Sequence, residues 1–191
     1  MPNIEQKHFD AAGAMAEVFT TKLGANRAVH APTAIAAGAR MAGTMLLRSF
    51  GVDTSTMLPG SAVLSEQANE QGPELINILG NMLTHYGMPL DKAKLETAGQ
   101  GEEPELSVNA MQELLERDLS AIRERFGLDL VGGAHACALT TAWLVKECAP
   151  QIGAEAGFNI AVFGFIEGSK TVPIPLDAPP KKAAWYQFWR N

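Results

Sequence analysis

Apolar residues recur at steps of three and four along most of the chain, the spacing that turns one face of an α-helix toward a core. In the first segment Ile4, His8, Ala11, Met15, Val18 and Phe19 share such a face, and Leu23-Gly24 closes it. A second helix opens with Pro32 in its first turn, where a missing N–H is tolerated, and runs to Phe50. A third opens at Pro73 and points Leu75, Ile76, Leu79, Met82 and Leu83 inward before Tyr86. A fourth opens near Pro104. It turns Val108, Met111, Leu115, Leu119, Ile122 and Phe126 to the core and Glu113, Glu116, Arg117, Glu124 and Arg125 to water. A fifth covers residues 133–149. Short helices are expected around 62–68 and within 88–103, the second capped by Asp91 with Leu90 and Leu95 as a hydrophobic staple.

The stop signals agree with one another. Phe50-Gly51-Val52, Tyr86-Gly87-Met88 and Phe126-Gly127-Leu128 each place glycine after an aromatic residue and an apolar residue after the glycine. A left-handed glycine followed by an apolar residue folded back on the last turn produces this pattern, so Val52 is expected against Leu47 and Met88 against Leu83.

Residues 152–166 admit two readings. Ile152, Ala156, Ile160 and Phe163 fit one side of a helix while Phe158, Val162 and Phe165 fill the other, an apolar circumference that belongs to a buried helix. The alternative is a C-terminal β-hairpin over 158–176, turning at Glu167-Gly168-Ser169-Lys170, with Pro173 and Pro175 confining its second strand to an edge. The helix is preferred because the preceding helices give it something to pack on.

The expected fold class is therefore all-α: an irregular bundle of five to six main helices plus two short ones, with an extended aromatic C-terminal arm. Residues 1–178 form one helical domain, with a soft boundary at 99–103 where Gly99-Gln100-Gly101-Glu102-Glu103 is the linker candidate. Residues 179–191 form the arm, in which Trp185, Tyr186, Phe188 and Trp189 crowd four aromatic rings into a short stretch. Such a segment is expected to dock on its own domain, on a second subunit or at a membrane surface. Lys181, Lys182 and Arg190 are too few cations to favour the membrane.

Small residues mark several helical faces. Ala34, Gly38 and Ala42 form one stripe of the second helix and Ala39 and Gly43 the next; Gly132 and Gly133 open the fifth, and Gly153, Gly157, Ala161 and Gly164 punctuate the segment that follows. Glycine weakens a helix by about 1 kcal/mol against alanine, so these stripes point to places where another backbone comes close. A tightly packed core explains them, and so does a flat face for a second subunit.

Composition narrows the functional classes. The chain of 191 residues is 47% hydrophobic and 19% charged with a formal charge of -6, which excludes a disordered chain and argues against nucleic acid as a partner. Cys137 and Cys148 lie eleven positions apart on one helix, about 16 Å at 1.5 Å per residue, so they are expected to be free thiols in a reducing, cytoplasmic setting. The opening Met1-Pro2-Asn3-Ile4-Glu5-Gln6-Lys7 has no apolar core, so no signal peptide is expected.

Complete catalytic motifs are missing. Gly38-Ala39-Arg40-Met41-Ala42-Gly43 has the glycine spacing of a phosphate loop, but Thr44-Met45 stands where lysine and serine or threonine are required. Glu5-Gln6-Lys7-His8 is a single Glu-x-x-His, and a di-iron bundle needs two such pairs and two further carboxylates. No metal is expected and no cofactor is indicated. His135 and Cys137 face opposite ways on a regular helix and cannot share an ion, while His135 needs a partner, for which Arg40, His30 and Glu66 are candidates. Arg40 and Arg48 lie two turns apart on an apolar helix. If they stay inside they must meet carboxylates or an anionic ligand.

The leading expectation is a cytoplasmic, non-enzymatic helical domain that forms a homo-oligomer or docks a partner through its small-residue faces and the segment carrying Trp185, Tyr186, Phe188 and Trp189. The alternative is a small-molecule or metal-binding protein, enzymes included, with an interhelical pocket around Arg40, Cys137 and His135.

Overall fold

A computed structural model describes residues 3–24, 29–99 and 103–176, and within them the apolar periodicity resolves into seven helices. They are α1 (Gln6–Leu23), α2 (Ala31–Ser49), α3 (Glu66–His85), α4 (Lys92–Leu95), α5 (Val108–Arg125), α6 (Leu130–Ile152) and α7 (Ala154–Ser169). Among the described residues there is no β-strand, only an isolated antiparallel bridge between Ala62 and Thr171. The fold is an all-α bundle. Trp185, Tyr186, Phe188 and Trp189, and residues 100–102 of the soft boundary, lie outside the described residues.

Helix α2 is the axis: every residue from Ala31 to Leu47 is buried. It packs on α7 along one side and on α6 along another, while α1 and α3 cover α6. The glycine stripes sit where these helices meet. A Cβ on Gly43 would stand 2.5 Å from the Phe165 carbonyl oxygen and 2.7 Å from the Ser169 nitrogen, and one on Gly164 would stand 2.7 Å from the Ala39 Cβ. Gly168 faces the Arg40 carbonyl so closely that no Cβ fits. Against α6, Gly38 leaves room for Thr141, whose Oγ1 would lie 2.8 Å from an added Cβ.

Local signals set most helix ends. Ser107 Oγ accepts from the Ala110 N–H at 3.2 Å, and Asp129 Oδ1 accepts from the Gly132 N–H at 2.7 Å, so α5 and α6 start at their capping residues. The expected starts near Pro104 and Gly133 give way to these caps. Asp91 caps α4 as expected, accepting from Ala93 N–H at 2.9 Å. Gly51, Gly87 and Gly127 all take positive φ, 63°, 75° and 63°. The Met88 N–H returns to the Leu83 carbonyl at 2.9 Å and the Leu128 N–H to the Arg123 carbonyl at 3.0 Å, the outer bond of a Schellman motif. At Gly51 the inner bond to Arg48 forms, but Val52 remains exposed.

Two expectations are corrected. The short helix at 62–68 and the third helix are one element, α3, which begins at Glu66 and carries Pro73 inside it. Pro73 removes a hydrogen bond. However, its ring faces solvent, and the turn before it is held by buried Ala68, on the stripe continued by Leu75 and Leu79. Glu116, assigned to the watery face of the fourth helix, is instead buried in α5. Residues 152–166 are helical as preferred, and α7 runs on to Ser169 after a break at Gly153, where φ is 85°.

Candidate functional site

A polar stripe runs through the apolar interior of α2. Arg40, Thr44 and Arg48 recur at i, i+4 and i+8, and each meets a polar group from a neighbouring element. Gln112 Nε2 donates to Thr44 Oγ1 at 3.1 Å, and Arg48 grips Glu116 through Nε and Nη2 at 2.5 and 3.0 Å. Gln112 and Glu116 are themselves one turn apart, so α5 offers a matching ladder. The chain after α7 is tied to it: Ile174 donates its N–H to Gln112 Oε1 at 3.2 Å and accepts from Arg48 Nη2 at 2.6 Å.

Arg40 ends the stripe. Its Nε and Nη2 reach Glu167 Oε2 at 2.7 and 2.6 Å, and its Nη1 donates to the Leu106 carbonyl at 2.6 Å and to Met111 Sδ at 3.4 Å. The side chain is buried but Glu167 is 44% exposed, so the pair forms one wall of an open cavity of about 780 Å3. Asn159, Phe163 and Glu96 line the rest. Asn159 already donates to the Leu95 and Ala98 carbonyls at 2.8 and 3.1 Å, which fixes α4 against α7.

His135 lies elsewhere, at the junction of α1, α3 and α6. Its Nε2 is 3.2 Å from Glu74 Oε1, and its ring centroid is 6.2 Å from that of buried His8. Burial, the strongest influence, pushes the His135 pKa below the usual histidine value; Glu74 pulls it back, His8 lowers it further and Asp129 raises it. His8 Nδ1 lies 3.0 Å from the Glu5 nitrogen and 3.3 Å from the Glu5 carbonyl oxygen, which fixes the ring at the start of α1. Neither Arg40, His30 nor Glu66 is the partner of His135. His30 stands at the N-cap position of α2, where its Nδ1 meets the Thr33 side chain at 2.7 Å rather than a backbone N–H, and Glu66 is exposed in the first turn of α3.

Cys137 is fully buried between two thioethers, its Sγ 3.6 Å from Met15 Sδ and 3.9 Å from Met45 Sδ. Burial, with a smaller push from Glu116, drives the thiol up to about 12, so no thiolate is available at neutral pH. Cys148 is also a free thiol raised by burial. The Thr140 and Thr141 hydroxyls donate to the Ala136 and Cys137 carbonyls, the core seam their spacing indicates.

Arg40, Cys137 and His135 thus take three separate sets of partners and share none. Among the described residues no group of three or more histidine, cysteine or acidic side chains is placed to hold a metal ion. His135 with Glu74 has the form of a base oriented by a carboxylate, but the thiol on its own helix faces Met15 and Met45. Glu74, Glu116 and Glu167 are what the sequence reading missed. Glu74 sits one turn before Ile78 on the buried stripe of α3, and Glu116 one turn after Gln112, so periodicity carried a signal for both.

The His135 environment makes stability depend on pH in one direction. Unfolded imidazole binds a proton near pH 6.5 and the folded one only at lower pH, so between those values the unfolded chain holds more protons. The stabilisation is complete above about pH 6.5 and is lost as the pH falls toward the folded pKa. In urea titrations His135→Gln should flatten the fall in stability between about pH 7 and 5. Parallel profiles for wild type and variant would rule this out.

No protein family, curated protein or solved structure matches this chain. The functional reading rests on the geometry.

Proposed function

We propose that the chain is a self-associating helical domain of a cytoplasmic protein, not an enzyme, and that copies meet through the outer face of α7. One observation carries this. Helix α7 leaves Phe163 69% and Ile166 44% exposed on its outer face, two large apolar side chains beside the half-exposed Glu167. The small-residue faces of α2 are consumed inside the chain, so they cannot supply the contact. The free thiols support a reducing compartment, and no single helix among the described residues is long and apolar enough to cross a membrane.

Light scattering on a size-exclusion column tests the reading. Wild type should elute at twice the 20.4 kDa of one chain, and Phe163→Ser with Ile166→Ser should run as a monomer with unchanged helicity. A wild type that stays monomeric across a hundredfold range of concentration would contradict it.

A second reading rests on the cavity beside Arg40. Glu167 is exposed enough to swing away, and a small anionic molecule could then take its place on the guanidinium, with Phe163 at the rim.

A further inference from the structure

A second apolar surface lies on the opposite elements of the bundle. Phe9, Gly13, Ala16 and Thr20 of α1 form one wall of an open groove of about 820 Å3, and Trp143 of α6 and Tyr86 after α3 form the other. Glycine weakens a helix relative to alanine, and Gly38, Gly43, Gly133, Gly157, Gly164 and Gly168 are each explained by an atom that would crowd a Cβ. Gly13 is not. Nothing described lies within 4 Å of the place its Cβ would take, as also at Gly72 of α3, and here the gap opens on the groove wall.

The chain itself supplies a fitting occupant. Arg117 Nη2 donates to the Leu176 carbonyl at 3.3 Å, which holds the end of the described fold against α5. The next residue, Asp118, pairs with Lys22, which directly follows the groove residues Thr20 and Thr21. Lys22 and Thr20 are about 200° apart around α1, so the groove opens on the side of α1 away from α5 and from Leu176. Nine positions separate Leu176 from Trp185, an extended reach of about 30 Å, and the α1 wall from Phe9 to Thr20 is only about 17 Å long. Trp185, Tyr186, Phe188 and Trp189 bring flat apolar rings of the kind such a groove accepts. Glu17 on the groove wall is opposite in charge to Arg190 of the segment and to Lys181 and Lys182 just before it.

We propose that residues 183–191 dock in this groove of their own molecule, with an aromatic ring seated over Gly13. The extended length of the segment allows docking in the same molecule, and this docking is independent of contacts between copies through α7.

Limited chymotrypsin digestion of the full chain, with cuts at Trp185, Tyr186, Phe188 and Trp189 followed by mass spectrometry, tests the proposal. Gly13→Leu fills the gap from a Cβ that has no described atom within 4 Å, and Ala16→Glu puts a charge on the same wall; thermal melting confirms that each variant is folded. Wild type should be cut about tenfold more slowly than either variant, as expected if about nine in ten molecules hold the segment docked. The protection should be the same at low and high protein concentration, and should survive Phe163→Ser with Ile166→Ser. Equal rates in wild type and both folded variants would overturn the docking. Protection that grows with concentration would overturn docking within one molecule and make a second copy the occupant.

Discussion

Glu116→Ala should lower the free energy of unfolding by about 3 kcal/mol in urea denaturation, the lower end of what is lost when one member of a buried ion pair is removed. Glu116 is 4% exposed and Arg48 19%, so deleting the carboxylate leaves a guanidinium largely out of water, with the Ile174 carbonyl as its remaining partner. The residual exposure of Arg48 keeps the loss at that lower end. The cost comes from the orphaned charge more than from the lost attraction. The double variant Arg48→Met with Glu116→Leu should therefore recover most of the stability, since apolar residues of similar volume replace a buried pair with little loss. A double variant as unstable as Glu116→Ala would show that the pair contributes something packing cannot supply.

The second large effect is expected at Gly168. Its missing Cβ is what lets the Arg40 carbonyl of α2 approach α7, and both groups belong to backbone, which cannot rotate away as a side chain can. Gly168→Ala should raise helix propensity by about 1 kcal/mol and still destabilise the protein, because forced overpacking costs about 1–3 kcal/mol and a backbone clash lies at the upper end or beyond. Gly43→Ala should follow it, since its Cβ would press on the Phe165 carbonyl and the Ser169 nitrogen.

The all-α class, the helix stops at Gly87 and Gly127, the Asp91 cap and the close approach at the glycine stripes were legible because each depends on local geometry or on spacing along one helix. The polar ladder was half legible. Two arginines on an apolar helix demand carboxylates, but which carboxylates answer depends on how α5 and α7 lie against α2, and no periodicity encodes that. Glu116 was misplaced because it was grouped with its charged neighbours Glu113 and Arg117, although its position one turn after Gln112 puts it on the edge of α5 that meets Arg48. Pro73 misled because proline favours a first turn, while the turn ahead of it is held by a buried alanine whose contacts are tertiary. Arg40, Cys137 and His135 take separate partners because the packing of α1, α3, α5 and α7 around α2 and α6, which no spacing along one helix encodes, decides what each side chain meets.

The core of the bundle is the backbone-to-backbone meeting of α2 and α7, and a matched pair of alanine substitutions tests it most directly. Gly80 lies inside α3 with Phe158 4.0 Å from where a Cβ would stand, an ordinary contact. Urea denaturation should show Gly80→Ala more stable than wild type by about 0.5–1 kcal/mol and Gly168→Ala less stable. If both substitutions stabilised the protein alike, α2 and α7 would have to lie farther apart than the structure places them.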